Sequence, residues 1–427
     1  MTSPRPGVLV AGSLAAGLLV AAPATPAVAA VEADCTEVTT TTEPVATDRR
    51  SEPLELLGMD DVDAELERRG RRPGQGVVVA VVDSGVAPSA DVAFAGRESF
   101  VPSAEVTYHH GTAVAGLIAG RPQGDQRIGI APAARILDLK VYDDPVGSTD
   151  NGTEPVRTPA VVAALRSALR KAKAGMNLRV VNVSLALPDD PRVERQVRRL
   201  WRAGAVVVAP SGNRPQGSDD PFYETFPEFV PGENAAEVVF PAGYDDVVAV
   251  STTADGAGRG DDPTPWVLWN TATDLAAPTA GGVSFSVNGG TCLLTEPATS
   301  WAAAEVSGVL ALLQSVYDES PARAVARLLA TADGRPDVPN PLAGAGVVRP
   351  LEALTRPLRI DEDGTPEQVR VEPAPQKADA PQRPPDVLAE TRHDAVWWGL
   401  LGGAALVLAV VLRPVLSRQR SRRTTTS

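Results

Sequence analysis

The sequence predicts an α/β domain in which a parallel β-sheet carries helices on both faces, followed by a single membrane-crossing helix. Three observations predict it. Residues 77–82, 178–185, 206–209 and 247–250 are continuous or nearly continuous apolar, β-branched runs, as strands buried on both faces require. Segments with helical apolar spacing separate some of these runs, and strands alternating with helices imply parallel pairing through crossovers. Near the C-terminus, residues 395–412 are apolar throughout, just long enough to cross a hydrocarbon core of about 30 Å.

Taken in chain order, Arg5, the apolar stretch 8–22 and Ala27-Val28-Ala29 ahead of the first acidic residue, Glu32, have the layout of a secretory signal peptide. It is assigned to residues 1–30, with cleavage near Ala29 or Ala30. An N-terminal membrane anchor is the alternative, but the apolar run is short for a span and Pro23 and Pro26 interrupt its end. Residues 31–76 form an N-terminal extension. Its first part, 31–50, is rich in Thr, Glu and Ala without a sustained period and reads as an extended arm; a short helix follows over 59–69, and Gly and Pro break the pattern over 70–76.

The main domain occupies residues 77–356. Within it, Thr158-Pro159 opens a helix by N-cap and N1 chemistry, with Leu165, Leu169 and Ala172 on its apolar face. Asp190-Pro191 opens another, with Val193, Val197, Leu200 and Trp201 at helical spacing. Residues 357–394 are rich in Pro, Glu, Asp and Gln with no apolar period, and read as a tether. The membrane helix is placed at 395–416. Trp397 and Trp398 sit at one end, and Arg413, Arg418, Arg420, Arg422 and Arg423 cluster at the other. By the positive-inside rule the tail, 417–427, is cytoplasmic and everything from 31 to 394 lies outside. A buried core helix would leave these arginines unexplained.

Net charge is −13 despite the basic tail, so the exported body is acidic and nucleic acid is not an expected partner. A solvated acidic surface accounts for the charge. The two cysteines, Cys35 and Cys292, are expected to pair in an oxidising compartment, the alternative being two free thiols.

Three segments present a polar residue where an ordinary core would not choose one. The apolar run 77–82 leads into Asp83-Ser84-Gly85, putting a carboxylate at the C-terminal end of a buried parallel strand, where open α/β sheets build their sites. By itself, Asp83 could equally cap a turn. His110 opens a stretch of small residues, Gly111 to Ala119, that suits a tightly packed helix with the imidazole on its first turn. His109 rivals it. Reading the pair as metal ligands is set aside, because adjacent side chains on a helix do not face one another and no second ligand motif occurs. Ala298-Thr299-Ser300-Trp301 precedes a helical run, placing Ser300 at a helix N-terminus, where free amides and the dipole favour a developing oxyanion; alone, it could be an N-cap serine.

Together the three give the order Asp, His, Ser of the subtilisin arrangement. Asp83-Ser84-Gly85-Val86, His110-Gly111-Thr112 and Thr299-Ser300 resemble the three subtilase signatures, and the likeness extends over residues 76–354. Gly129-Ile130-Ala131-Pro132 resembles the stretch after the histidine helix, Asn182-Val183-Ser184-Leu185 the strand that binds extended substrate, Ser211-Gly212-Asn213 the loop with the oxyanion-hole asparagine, and Gly344 to Val348 the closing turn. The resemblance implies a subtilisin-like fold and a serine endopeptidase. Asp83, His110 and Ser300 would form its triad, Asn213 and Ser300 its oxyanion hole, and Ser184, Leu185, Ala186, Pro210, Ser211 and Gly212 its substrate-binding wall. No cofactor is implied, and no acidic cluster has calcium-loop spacing.

The flanking segments resemble those of the mycosins, membrane-anchored proteases of type VII secretion systems, which implies a protein or peptide substrate and a membrane secretion complex as partner. Ala298, Ala304, Ala186 and Pro210 depart from the usual family residues. They put catalytic efficiency in question, so a weak or inactive subtilase serving as a structural component is the alternative.

Overall fold

The computed structural model describes residues 33–147, 152–218, 220–253, 262–367 and 388–421. The expected signal peptide, residues 1–30, lies outside them, as do 368–387 of the tether and 422–427 of the tail. The chain divides into two units, Met1–Gln368 and Val369–Ser427.

The first unit runs α1 (Glu52–Leu56), α2 (Met59–Arg68), β1 (Val78–Asp83), β2 (Ala93–Ser99), α3 (His110–Ala119), β3 (Arg135–Lys140), α4 (Thr158–Lys173), β4 (Leu178–Asn182), α5 (Pro191–Arg202), β5 (Val206–Pro210), β6 (Val247–Thr253), β7 (Leu275–Pro278), β8 (Gly282–Phe285), β9 (Thr291–Leu294), α6 (Thr299–Tyr317), α7 (Pro321–Thr331) and α8 (Pro350–Thr355). Seven strands form one parallel sheet in the order β2-β3-β1-β4-β5-β6-β7. Chain order reverses direction between β1 and β4, so a crevice opens at their C-terminal ends. The hairpin β8-β9 is antiparallel and separate.

The predicted strands are buried on both faces because successive side chains enter different cores. Val79, Val81, Val180, Val206 and Val208 pack with α3 and α6, whereas Val78, Ala80, Val82, Val181, Val207 and Ala209 pack with α4 and α5. On α4 the sequence expectation needs one correction. Thr158 is the first helical residue and Arg157 the N-cap, with no side-chain cap, while Pro159 takes an early helical position that needs no amide donor. On α5 the expected cap is present, Asp190 accepting from the Arg192 amide.

β2, β3, β7, β8 and β9 were not apparent from the sequence, the last three being only four residues long and the first two breaking the apolar rule. β2 is a partly exposed edge strand, and β3 buries Asp138 and Lys140. Each buried charge has a partner, Arg97 at 3.2 Å and Asp143 at 2.7 Å respectively.

The N-terminal extension belongs to the core rather than lying beside it. Cys35, Val38, Leu54, Leu57, Met59, Val62 and Leu66 are all buried in the α3/α6 cluster. Backbone bonds Cys35 N–H to Leu293 O, Leu293 N–H to Ala33 O and Thr291 N–H to Val45 O run the arm along β9. Cys35 and Cys292 are joined by a disulfide, with Cα atoms 4.9 Å apart, and no free cysteine remains. At the other end, packing continues past residue 356 to a turn with buried Ile360.

The second unit contains α9 (Ala389–Ser421), with Pro414 inside it. Its segment Glu390–Pro414 is long and apolar enough to cross a membrane.

Candidate active site

Asp83 ends β1, His110 begins α3 and Ser300 lies in the first turn of α6. The fold brings all three together. His110 Nδ1 is 2.9 and 3.0 Å from the two Asp83 carboxylate oxygens, and His110 Nε2 is 3.0 Å from Ser300 Oγ. His109 makes no bond to this relay, its ring centroid lying 6.4 Å from that of His110. Among the described residues no group of three or more His, Cys, Asp or Glu is placed to hold a metal ion.

Asp83 is fully buried and is held by two further donors, the Ser84 amide at 2.7 Å and the Tyr142 hydroxyl at 3.0 Å. Burial, with the nearby Asp83 charge, holds the Tyr142 phenol well above its ordinary pKa, so it remains a donor. Ser84 Oγ accepts the Gly111 amide at 3.0 Å and thereby ties the Asp83 turn to the start of α3. The approach is close: a Cβ on Gly111 would lie 2.5 Å from Gly85 O, which is why only glycine fits after His110. Trp301 covers the imidazole, the two rings 4.7 Å apart. Burial, with the neighbouring His110 imidazole as a lesser cause, pushes His109 down to about 4, so that ring is neutral beside the site.

Ser300 is the second residue of α6, where its N–H has no carbonyl of the same helix to bond. Asn213 stands next to it. The Asn213 Oδ1 accepts both the Thr299 amide and the Thr299 hydroxyl at 2.8 Å, which fixes the amide plane and leaves Nδ2 as the outward donor. Proton transfer between Oγ and Nε2, with two N–H donors beside the serine, suits acyl transfer.

A cleft of about 630 Å3 opens over these groups, lined by His110, Ser300 and Asn213 together with Asp34 and Glu37 of the arm and Arg214. Ser184, Leu185, Ala186, Pro210, Ser211 and Gly212 do not line it; all but half-buried Ala186 are buried. Of these, Ser184 touches the serine turn directly. Ser184 Oγ donates to Ser300 O at 3.1 Å, Ser211 O accepts from Asn270 Nδ2 at 2.7 Å, and Ala186 packs on an apolar cluster of Phe226, Ala235, Val239 and Leu268. Sequence reasoning missed Tyr142, Arg214 and the arm residues, and had Thr299 only as part of the serine signature, without its bonds to Asn213. Only Thr299 and Arg214, adjacent to Ser300 and Asn213, carried a signal; Tyr142 follows a strand hidden by its buried charges, and the arm has no periodic pattern at all.

The sequence model of the Subtilase family matches residues 74–346. Mycosin-1 of Mycobacterium tuberculosis is 31% identical over 344 residues, covering 73% of this chain and 76% of the relative. Subtilisin Savinase of Lederbergia lenta is 29% identical over 263 residues, covering 60% and 83%. Among solved structures, the MycP3 protease from the type VII (ESX-3) secretion system superposes with a TM-score of 0.56 at 28% identity, covering 77% of this chain and 93% of that one.

Proposed function

The chain belongs to the subtilase family and is a serine endopeptidase, and we propose that it hydrolyses peptide bonds through Asp83, His110 and Ser300 while anchored to the outer face of a cell membrane. The observation that carries the triad assignment is the unbroken contact from Ser300 Oγ to His110 Nε2 and from His110 Nδ1 to Asp83, each at about hydrogen-bond length.

In this reading His110 takes the Ser300 proton as Oγ attacks the peptide carbonyl. Asp83 holds the imidazole in the required tautomer and stabilises its cation. The carbonyl oxygen, now negative, is held by Asn213 Nδ2 and the Ser300 N–H; loss of one such donor costs about 3–4 kcal/mol of barrier. His110 then gives its proton to the leaving amine, and water, activated by the same imidazole, releases the acyl group. Ser184 supports the Ser300 turn through its bond to the Ser300 carbonyl.

Reaction of the folded protein with a fluorescent fluorophosphonate tests this reading. Label on wild type, lost in Ser300→Ala, is the expected result. No label on wild type with normal circular dichroism would turn the reading to a structural component.

Residues 1–30 as a removed signal, 357–394 as a tether and 395–416 as the anchor complete the proposal. The apolar segment Glu390–Pro414 supports the anchor. Likeness to mycosins and to the MycP3 protease from the type VII (ESX-3) secretion system supports a place beside a type VII secretion membrane complex. Protease added to intact cells is expected to remove the catalytic domain and spare a tag placed after Ser427. Digestion of that tag would reverse the orientation.

A further inference from the structure

We infer that Arg214 and Glu233 are positioning residues that hold Asn213 in place for oxyanion stabilisation, an inference that rests on the protease reading above. Asn213 is exposed, stands on a segment without helix or strand, and follows Gly212 at φ +123°, a conformation that leaves the backbone easily turned. Its orientation must therefore come from neighbours. Thr299 supplies one anchor, on the side chain.

The other anchor is on the backbone. Residues 212–214 pair with 266–268 through Arg214 N–H to Trp266 O at 2.8 Å and Leu268 N–H to Gly212 O at 3.1 Å. The Arg214 side chain then folds back onto the same partner segment. Its Nε donates to Thr264 O at 2.7 Å and its Nη2 to Val267 O at 3.3 Å. The same guanidinium grips both Glu233 oxygens, and Glu233 Oε1 also accepts the Trp269 amide at 3.2 Å. One buried fork thus fastens three segments, the Asn213 loop, the turn at Glu233 and residues 264–269.

The side chains of Arg214 and Glu233 are only 7% and 5% exposed, although Arg214 adjoins the cleft. All the polar directions of the guanidinium that these bonds use point into protein rather than towards a bound peptide. A planar fork with donors on both edges is what this geometry requires, and a lysine ammonium cannot reproduce it.

The test uses the full-length chain in detergent and p-nitrophenyl acetate, an ester with no side chain for a specificity contact to read. Arg214→Lys keeps the charge and is expected to lower kcat about 10- to 100-fold, as small misplacements of a catalytic group do, with KM unchanged. In an Asn213→Ala background the same substitution should cost nothing more, because the group it positions is gone. Should Arg214→Lys fail to fold, the paired Arg214→Met/Glu233→Met variant replaces both charges at once and is read in the same two backgrounds. Equal losses with and without Asn213, or a change confined to KM, would overturn the inference while leaving the protease reading intact. Wild type that neither turns over the ester nor takes up the fluorophosphonate would overturn both.

Discussion

One set of groups at the site, Asp83, His110 and Ser300, stands at the end of a strand or in the first turn of a helix. A second set, Asp34, Glu37, Asn213 and Arg214, stands on segments without helix or strand. The first set is positioned by the backbone, since the ends of β1, α3 and α6 follow from packing two cores against one sheet. The second set is positioned by cross-links, a disulfide at Cys35 and a buried ion pair at Arg214. On the proposed reading, regular elements carry the groups that move protons, and stapled loops carry Asn213 and the residues of the arm that line the cleft. Damage to the first set should therefore abolish chemistry without unfolding the protein, and damage to the second should trade stability and substrate handling against each other.

The largest effect is expected at Ser300. Replacing it with alanine should lower ester turnover on the order of a million-fold, with a nearly unchanged thermal midpoint, because α6 is held by its apolar core and the hydroxyl adds one hydrogen bond to His110. A large fall in the midpoint would break the comparison. Next, Asp83→Asn should cost about 10,000-fold in kcat, the amide imposing the wrong imidazole tautomer while Tyr142 and Ser84 still bind the side chain.

In the stapled set, Cys35→Ser/Cys292→Ser should cost about 2–4 kcal/mol in urea unfolding, since the bond closes a loop with a sequence separation of 257. Hydrolysis of casein should fall further than hydrolysis of p-nitrophenyl acetate, because the arm contributes cleft wall but no proton-transfer group. Equal loss on both substrates would show that the arm positions the triad as well.

Glu305 on α6 offers a smaller and opposite effect. It is buried with no hydrogen-bond partner on either oxygen, and burial raises its carboxyl well above the ordinary carboxylate range. A carboxyl whose folded pKa is raised loses stability as pH climbs through that shifted value. Glu305→Leu should stabilise the fold by about 1–3 kcal/mol at neutral pH by removing two unsatisfied acceptors. Destabilisation would point to a polar task for Glu305.

The smallest effect at neutral pH belongs to His109. Its folded pKa of about 4 lies below the ordinary 6.5, so between those values the unfolded chain binds the proton and the folded one does not. Stability contributed at this position is lost as pH falls from 6.5 towards 4. His109→Gln should flatten that part of the stability curve and leave pH 7.5 unaffected. Asp138 and Asp274, both raised to about 6 by burial, slope the other way, so the variant must be compared with wild type across the same range.

The apolar runs of β1, β4, β5 and β6 and the small-residue helix after His110 were legible because burial on two faces forces a local composition. The order Asp83, His110, Ser300 was legible for a related reason: each group is placed by a short segment whose own sequence declares a strand end or a helix start. Sequence alone therefore determined the fold class, the triad candidates, the apolar C-terminal helix and the presence of two cysteines to pair. Only the tertiary structure decided that β3 is a core strand despite Asp138 and Lys140, that the arm is part of the hydrophobic core and wall of the cleft, that Tyr142 bonds Asp83 and Thr299 bonds Asn213, and that Arg214 folds back onto residues 264–267. Apart from Lys140, whose ion partner Asp143 follows in the chain, these depend on partners from 19 to 257 residues away. A local pattern records what a residue must avoid, water or a clash, whereas the identity of its partner is set only when distant segments meet.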